Sequence, residues 1–335
     1  MTERPKDTVK KMRVGIVGVG SYVPDKILTN ADLEKMVDTS DEWITTRTGI
    51  KERRIADGNT TTSDMAKRAA EEAIKSAKLN VSDIELIIVA TITPDMPLPS
   101  TACLLQGKLG ARNAVCFDIS AACAGFIYAI ATAEAFIKSG LYKNALVIGS
   151  EKLSVVTDWK DRNTCVLFGD GAGAAVLAPV KKGGILSTYL GSDGTQADLL
   201  KIPAGGSKMP ASKDTVEERL HFVKMSGTEL FKQAVKIMAD AGNKAASMLN
   251  YGCDDVDWVI PHQANIRILN AVANRMKLAS EKIYLNIEKY GNMSSASTAV
   301  ALAGAVKEGK IKKGDVIVLD AFGAGLVWGA IVIEW

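Results

Sequence analysis

Short β-branched runs alternate along the chain with longer segments in which charge recurs at helical spacing. "VGIVGVG" (14–20), "IELIIVAT" (84–91), "NALVIGS" (144–150), "AAVLAPV" (174–180), "DWVIPH" (257–262) and "DVIVLDAF" (315–322) predict buried strands. Thr62 to Leu79 and Gly227 to Leu249 predict helices between them. That alternation predicts a layered α/β architecture.

A weak internal repeat sharpens this picture. "KSGLYKNALVIGS" (138–150) is echoed by "KEGKIKKGDVIVLDA" (307–321), and "FGDGAGAAVLAP" (168–179) by "FGAGLVWGAIVIE" (322–334). Upstream of each lies an almost uncharged helix, beginning near Ala124 in the first copy and near Ser294 in the second. Three matches in the same order predict two similar halves. The expected division is a short tail over 1–11, one half over 12–180 and a second over 181–335. A pseudo-twofold axis would bring both uncharged helix starts, one beside Cys123 and one beside Asn292, to a shared seam.

Composition narrows the function classes. The chain has 335 residues, of which 47% are hydrophobic and 24% charged, enough for a large core. A net charge of +3 is too slight for a nucleic-acid binder, and no basic run suggests one. Five cysteines with no CxxC pair argue against a disulfide framework and a structural zinc site. The N-terminal "MTERPKDTVKKMR" lacks the apolar core of a signal peptide, and no stretch reaches ~18 uninterrupted apolar residues. These features predict a soluble cytoplasmic protein with reduced thiols, no metal and no membrane association. In "VGIVGVGSYVP" the glycines suggest a dinucleotide loop. Tyr22, Val23 and Pro24 stand where its helix should start, so tight strand packing is the expected use of those glycines.

The candidate chemistry lies at the seam. Cys123 sits between "ISAA" and "AGFIYAIATA", a segment free of charge until Glu134 and so expected to be a buried helix. A cysteine at a helix N-terminus loses its proton more readily, because unpaired N–H groups and the helix dipole favour an anion. A packed core cysteine is the plainer reading of the same residue. Cys103, Cys116, Cys165 and Cys253 keep that plainer reading. His262, in "DWVIPHQANIRIL", is expected at the C-terminal edge of a strand, where open α/β sheets bind ligands, whereas His221 lies in a charged stretch expected at the surface. Asn292 alone reads as a helix cap. Cysteine, histidine and asparagine together suggest nucleophilic acyl chemistry, without separating a hydrolase from a transferase.

Six segments in register carry a resemblance. "TSDEWITTRTGIKERR", "AACAGF", "FGDGAGA", "PHQAN", "GN" before a Ser/Ala run, and "AFG" near the C-terminus make the chain, from about Met12 to Trp335, similar to the β-ketoacyl-[acyl-carrier-protein] synthase III family. The resemblance implies the thiolase fold, two halves packed as five αβαβα layers, usually in a homodimer. It implies a ping-pong condensation of a short acyl-coenzyme A with malonyl-acyl-carrier-protein, with no cofactor. Cys123 would carry the acyl group, and His262 and Asn292 would donate to the oxygen that gains charge as CO2 leaves. The backbone N–H groups of Cys123 and Ala324 would hold the second oxyanion. The family more often has a three-glycine run where Ala324 stands.

The resemblance also implies a coenzyme A path. Trp43 and Arg162 would stack on adenine, Arg47 would meet phosphate, and Thr39, Gly227, Phe231 and Asn265 would line the pantetheine channel. Lys232, Arg267 and Arg275 are the expected basic surface for an acidic carrier protein. Leu98 falls where family members contribute a side chain across the dimer to the acyl pocket. Other readings stay open from the residues: a secondary-metabolism acyltransferase or ketosynthase, a cysteine hydrolase, or a non-catalytic coenzyme A binder.

Overall fold

The computed structural model describes residues 12–335; the expected tail over 1–11 lies outside the described residues. Nine strands build two sheets. In chain order the first sheet takes β1 (Val14–Tyr22), β2 (Leu86–Ala90), β3 (Val115–Ile119), β4 (Ala145–Lys152) and β5 (Asp170–Pro179). The second takes β6 (Gly184–Ser192), β7 (Trp258–Pro261), β8 (Val316–Gly323) and β9 (Val327–Glu334). The helices used below are α1 (Asp41–Thr48), α2 (Thr62–Ser76), α3 (Thr101–Leu109), α4 (Gly125–Lys138), α5 (Gly227–Ser247), α6 (Ile266–Met276) and α7 (Ser295–Lys307).

The two sheets share one strand plan. The first runs β1-β5-β4-β2-β3 and the second β6-β9-β8-β7. Ile283 adds a single parallel bridge to Val259 of β7, at the place β3 holds beside β2. The repeat seen in the sequence thus corresponds to α4-β4-β5 and α7-β8-β9, each an uncharged helix followed by an antiparallel strand pair.

Packing follows from polarity. Helices α4 and α7 are apolar on nearly every side, and they lie between the two sheets, touching both. Helix α2 shows a one-sided apolar face and covers the outer surface of the first sheet together with α3, while α5, backed by α6, covers the second. The result is five layers, αβαβα, with the largest core cluster at the middle layer. Of the outer helices, α2, α3 and α6 begin on side-chain caps, and α5 does not. Thr61 and Asp64 form a capping box at α2, Ser100 accepts from Cys103 N–H at α3, and Asn265 accepts from Arg267 N–H at α6. Helices α4 and α7 begin without a side-chain cap.

The glycines of β1 serve packing. A Cβ at Gly18 would fall 2.5 Å from Ala73 O, and one at Gly20 would fall 2.3 Å from Ala69 O, so α2 rests on the strand backbone. Among the described residues, no helix is long and apolar enough to cross a membrane.

Candidate active site

A cavity of about 1170 Å³ opens where the uncapped starts of α4 and α7 meet the C-terminal ends of β7 and β8. Cys123, His262 and Asn292 all line it, together with Gly323 and Ala324.

Cys123 lies in a tight turn, Ala122–Ala124, that leads into α4, and Ala122 takes a left-handed backbone conformation (φ 44°). That turn presents the sulfur to the cavity. The adjoining backbone is Gly323, at the end of β8: a Cβ there would sit 2.6 Å from Cys123 N, so only glycine permits this approach. Burial is the largest influence on the Cys123 thiol and pushes it up to about 12.

His262 follows β7, and its N–H donates to Asp320 O at 2.7 Å. The ring is 2% exposed, and burial holds its proton affinity down to about 3. It is neutral over the ordinary pH range. Nδ1 has no partner among the described residues, so nothing in the protein opposes the tautomer that carries hydrogen on Nε2.

Asn292 is held by both halves of the chain. Its N–H donates to Leu167 O at 2.8 Å, and its carbonyl accepts from Gly169 N–H at 3.0 Å. Its side-chain Oδ1 accepts from Ser294 N–H at 2.8 Å. It is no helix cap in the usual sense, since α7 begins at Ser295, three residues on.

Other expected residues divide. Trp43, Arg47, Gly227, Phe231, Lys232, Asn265 and Arg267 line the cavity. Arg162 stands beside it, with its guanidinium 4.4 Å from the Trp43 ring centroid and 3.6 Å from Asp38. Thr39, Arg275 and Leu98 do not line it. Arg275 pairs with Asp240 at 3.0 Å on the outer helices, and Leu98 is 84% exposed. His221 is half-buried rather than on the surface, its Nε2 2.9 Å from Thr215 Oγ1, and it takes no part in the cavity.

Sequence reasoning missed two parts of the site. One is the apolar end, formed by Ile92, Leu153, Phe168, Leu200, Ile202 and Val223, which come from five separate segments with no common spacing. The other is Glu151, a fully buried carboxyl that Ser295 ties to the start of α7. Among the described residues, no group of three or more His, Cys, Asp or Glu side chains could hold a metal ion.

The chain resembles known proteins over nearly its whole length. Residues 117–194 match the family model described as 3-oxoacyl-[acyl-carrier-protein (ACP)] synthase III, and residues 233–335 match its C-terminal model. A β-ketoacyl-[acyl-carrier-protein] synthase III from Caldanaerobacter subterraneus is 58% identical over 327 residues, covering 97% of this chain and 99% of the relative. One from Clostridioides difficile is 58% identical over 323 residues, covering 96% and 98%. The solved 3-oxoacyl-[acyl-carrier-protein] synthase III of Aquifex aeolicus superposes with a TM-score of 0.89 at 49% identity, covering 96% of this chain and 100% of that one. On full-length identity of this order, the chain belongs to the β-ketoacyl-[acyl-carrier-protein] synthase III family.

Proposed function

We propose that the chain joins a short acyl group from acyl-coenzyme A to malonyl-acyl-carrier-protein by decarboxylative condensation, with Cys123 carrying the acyl group between the two half-reactions. The observation that carries this reading is the convergence of Cys123, His262 and Asn292 on one cavity. In the first half-reaction Sγ attacks the acyl thioester carbon, the thiol proton passes to the departing coenzyme A sulfur, and an acyl-Cys123 thioester remains. In the second, the malonyl group loses CO2, and the electron pair of the breaking bond moves onto the thioester oxygen. His262 Nε2–H and the Asn292 NH2 group donate to that oxygen. The resulting carbanion attacks the acyl-Cys123 carbon, whose oxygen gains charge against the N–H groups of Cys123 and Ala324. Collapse releases Sγ, which takes up a proton, and leaves a 3-oxoacyl carrier protein. One donor of this kind is worth roughly 3–4 kcal/mol in an acyl-transfer site.

Neutral His262 and a carboxamide suit this work, because neither carries charge that must be desolvated before the reaction. The adenine of coenzyme A takes the face of Trp43 that Arg162 covers, with Arg162 lifting onto the purine. Gly227 flanks the same channel. Lys232 and Arg267, at the cavity mouth, meet the acidic carrier protein, with Arg275 further out on α6. Two copies form a homodimer in which exposed Leu98 reaches the acyl end of the second subunit's cavity. No cofactor enters the cycle.

A priming ketosynthase of a polyketide pathway superposes with a TM-score of 0.90 at 34% identity, covering 98% of this chain and 99% of that one, which favours a second acceptor class. Intact-protein mass spectrometry decides. Separate exposure to acetyl-, isobutyryl- and hexanoyl-coenzyme A should add one acyl mass at Cys123, discharged with CO2 release by malonyl-acyl-carrier-protein. Loading at another cysteine, or discharge by water alone, would overturn the reading.

A further inference from the structure

Glu151, at the end of β4, is fully buried, and none of its hydrogen-bond partners is a cation. The adjacent Lys152 ammonium donates instead to Asp57 O and Thr60 O at 2.7 Å each. A buried carboxylate without a counter-charge is costly, so the pattern of donors around the two oxygens decides its state.

That pattern is asymmetric. Oε2 accepts three hydrogen bonds: from Thr91 Oγ1 at 3.1 Å, Ile92 N–H at 3.1 Å and Thr93 Oγ1 at 2.7 Å. Each threonine hydroxyl also accepts a backbone N–H, from Thr93 and Lys152 respectively, which leaves its hydrogen for Oε2. Oε1 faces a single group, Ser295 Oγ, at 3.0 Å. The same Oγ lies 2.8 Å from Ala90 O. Ser295 has one hydroxyl hydrogen for two oxygens. The backbone carbonyl, the nearer of the two, can only accept, whereas a carboxyl group can also donate, so both contacts are met together when the hydrogen goes to Ala90. The contact at Oε1 is then satisfied when Glu151 supplies a proton to it.

We propose that Glu151 is held as a neutral carboxylic acid, protonated on Oε1, and that it is a positioning residue fixing the start of α7, and through it Asn292, against Cys123. Its partners come from the β2 end, Thr91 to Thr93, and from the first turn of α7 across the seam, so it ties the two halves at the active site. Ser294 N–H orients the Asn292 amide, and Ser294 directly precedes Ser295, the residue that Glu151 holds. A negative charge on Glu151 would oppose ionisation of the Cys123 sulfur; a neutral acid removes that opposition. Burial acts on Glu151 in the same direction, raising its carboxyl above the ordinary range.

The proposal rests on the roles given above to Cys123 and Asn292, and the test separates the two. Glu151→Gln replaces the neutral acid by a group that also has an acceptor at one position and a donor at the other. Infrared difference spectra of full-length wild type against Glu151→Gln, at neutral pH, should show the C=O band of a protonated carboxylic acid that shifts in heavy water. The paired bands of a carboxylate would overturn the proposal, whatever the activity. Glu151→Gln should condense within about fivefold of wild type, whereas Glu151→Ala should lose ~100-fold in condensation, comparable to loss of an oxyanion donor. If Glu151→Ala does not fold, the Gln variant and the spectra still decide; equal loss in the Gln and Ala variants would reject the neutral acid. If wild type fails to load an acyl group at all, the proposed function falls, while the infrared band still reports the state of Glu151.

Discussion

Asn292 Oδ1 accepts the Ser294 N–H at 2.8 Å, which commits the carbonyl end of the amide to the protein and leaves the NH2 end to donate. Asn292→Asp keeps the shape and the bond to Ser294 but removes the donor and adds charge where the enolate oxygen forms. Condensation with malonyl-acyl-carrier-protein should fall by about 10²–10³-fold, while acyl loading of Cys123 continues. Product formation and intact mass, measured on the same samples, check the split. Equal loss of both steps would assign Asn292 to structure alone.

The approach of Gly323 to Cys123 makes a separate prediction. A methyl group at Gly323 would sit 2.6 Å from Cys123 N and 3.1 Å from Cys123 Cβ. Both neighbours belong to backbone or to the nucleophile itself, so neither can yield without displacing the reacting sulfur. Gly323→Ala should destabilise the fold by about 1–3 kcal/mol and should also slow acyl loading. Denaturant titration and the rate of acyl-enzyme formation test the two parts. A fully stable variant that loads at the wild-type rate would show that the loop can move aside.

How much of this was legible beforehand depends on where each cause lies. The repeat at 138–150 and 307–321 was legible because β4 and β8 each follow an apolar helix and precede an antiparallel partner, so local pattern and topology coincide. His262 was legible because "DWVIPHQAN" marks a strand end directly. Glu151 was not: its partners lie 58–60 and 144 residues away in sequence, and "GSEKL" has no spacing that marks a buried acid. The burial of Cys123 was not legible for a related reason: the helix start is a local feature, while the groups that bury the sulfur, Gly323 among them, lie far away in the chain. Arg275 looked like a free surface cation because its partner, Asp240, sits on another helix.

Burial of His262 has a consequence for stability. Its folded proton affinity lies at about 3 against an ordinary 6.5. Between those values the unfolded chain binds a proton that the folded chain refuses, so stability falls as pH drops through that window. The slope from this one group is at most about 1.4 kcal/mol per pH unit. Asp320, whose carboxyl burial raises well above its ordinary range, contributes with the opposite sign. Comparing wild type with His262→Ala isolates the histidine, because the cavity left by the substitution costs the same at each pH. Urea unfolding from pH 4.5 to 7 should give a shallower pH dependence in the variant. Parallel curves would mean that the ring binds its proton in the folded chain as it does in the unfolded one.

Trp43 and Arg162 should act on one substrate only. The Arg162 guanidinium lies 4.4 Å from the centroid of the Trp43 ring, which lines the cavity, and neither residue belongs to the Cys123, His262 and Asn292 set. Cation–π and stacking contacts of this kind are worth ~0.5–2 kcal/mol, so Arg162→Ala should raise KM for acyl-coenzyme A by about 2–30-fold. Condensation from a preloaded acyl-enzyme should be little affected. A fall in kcat of the second half-reaction would contradict that placement.

Lys232 and Arg267 line the cavity mouth, where a folded carrier protein must dock while its pantetheine arm enters. Exposed charges contribute little contact energy, but they steer encounter, and salt screens them over ~8–10 Å. The malonyl-acyl-carrier-protein step should therefore weaken steeply between low and moderate salt. Acyl-coenzyme A loading should change less, because its ligand also stacks on Trp43 inside the cavity. Lys232→Glu with Arg267→Glu should flatten the salt dependence of the carrier-protein step while lowering its kcat/KM at low salt. Equal salt sensitivity of the two half-reactions would move the carrier-protein surface away from these residues.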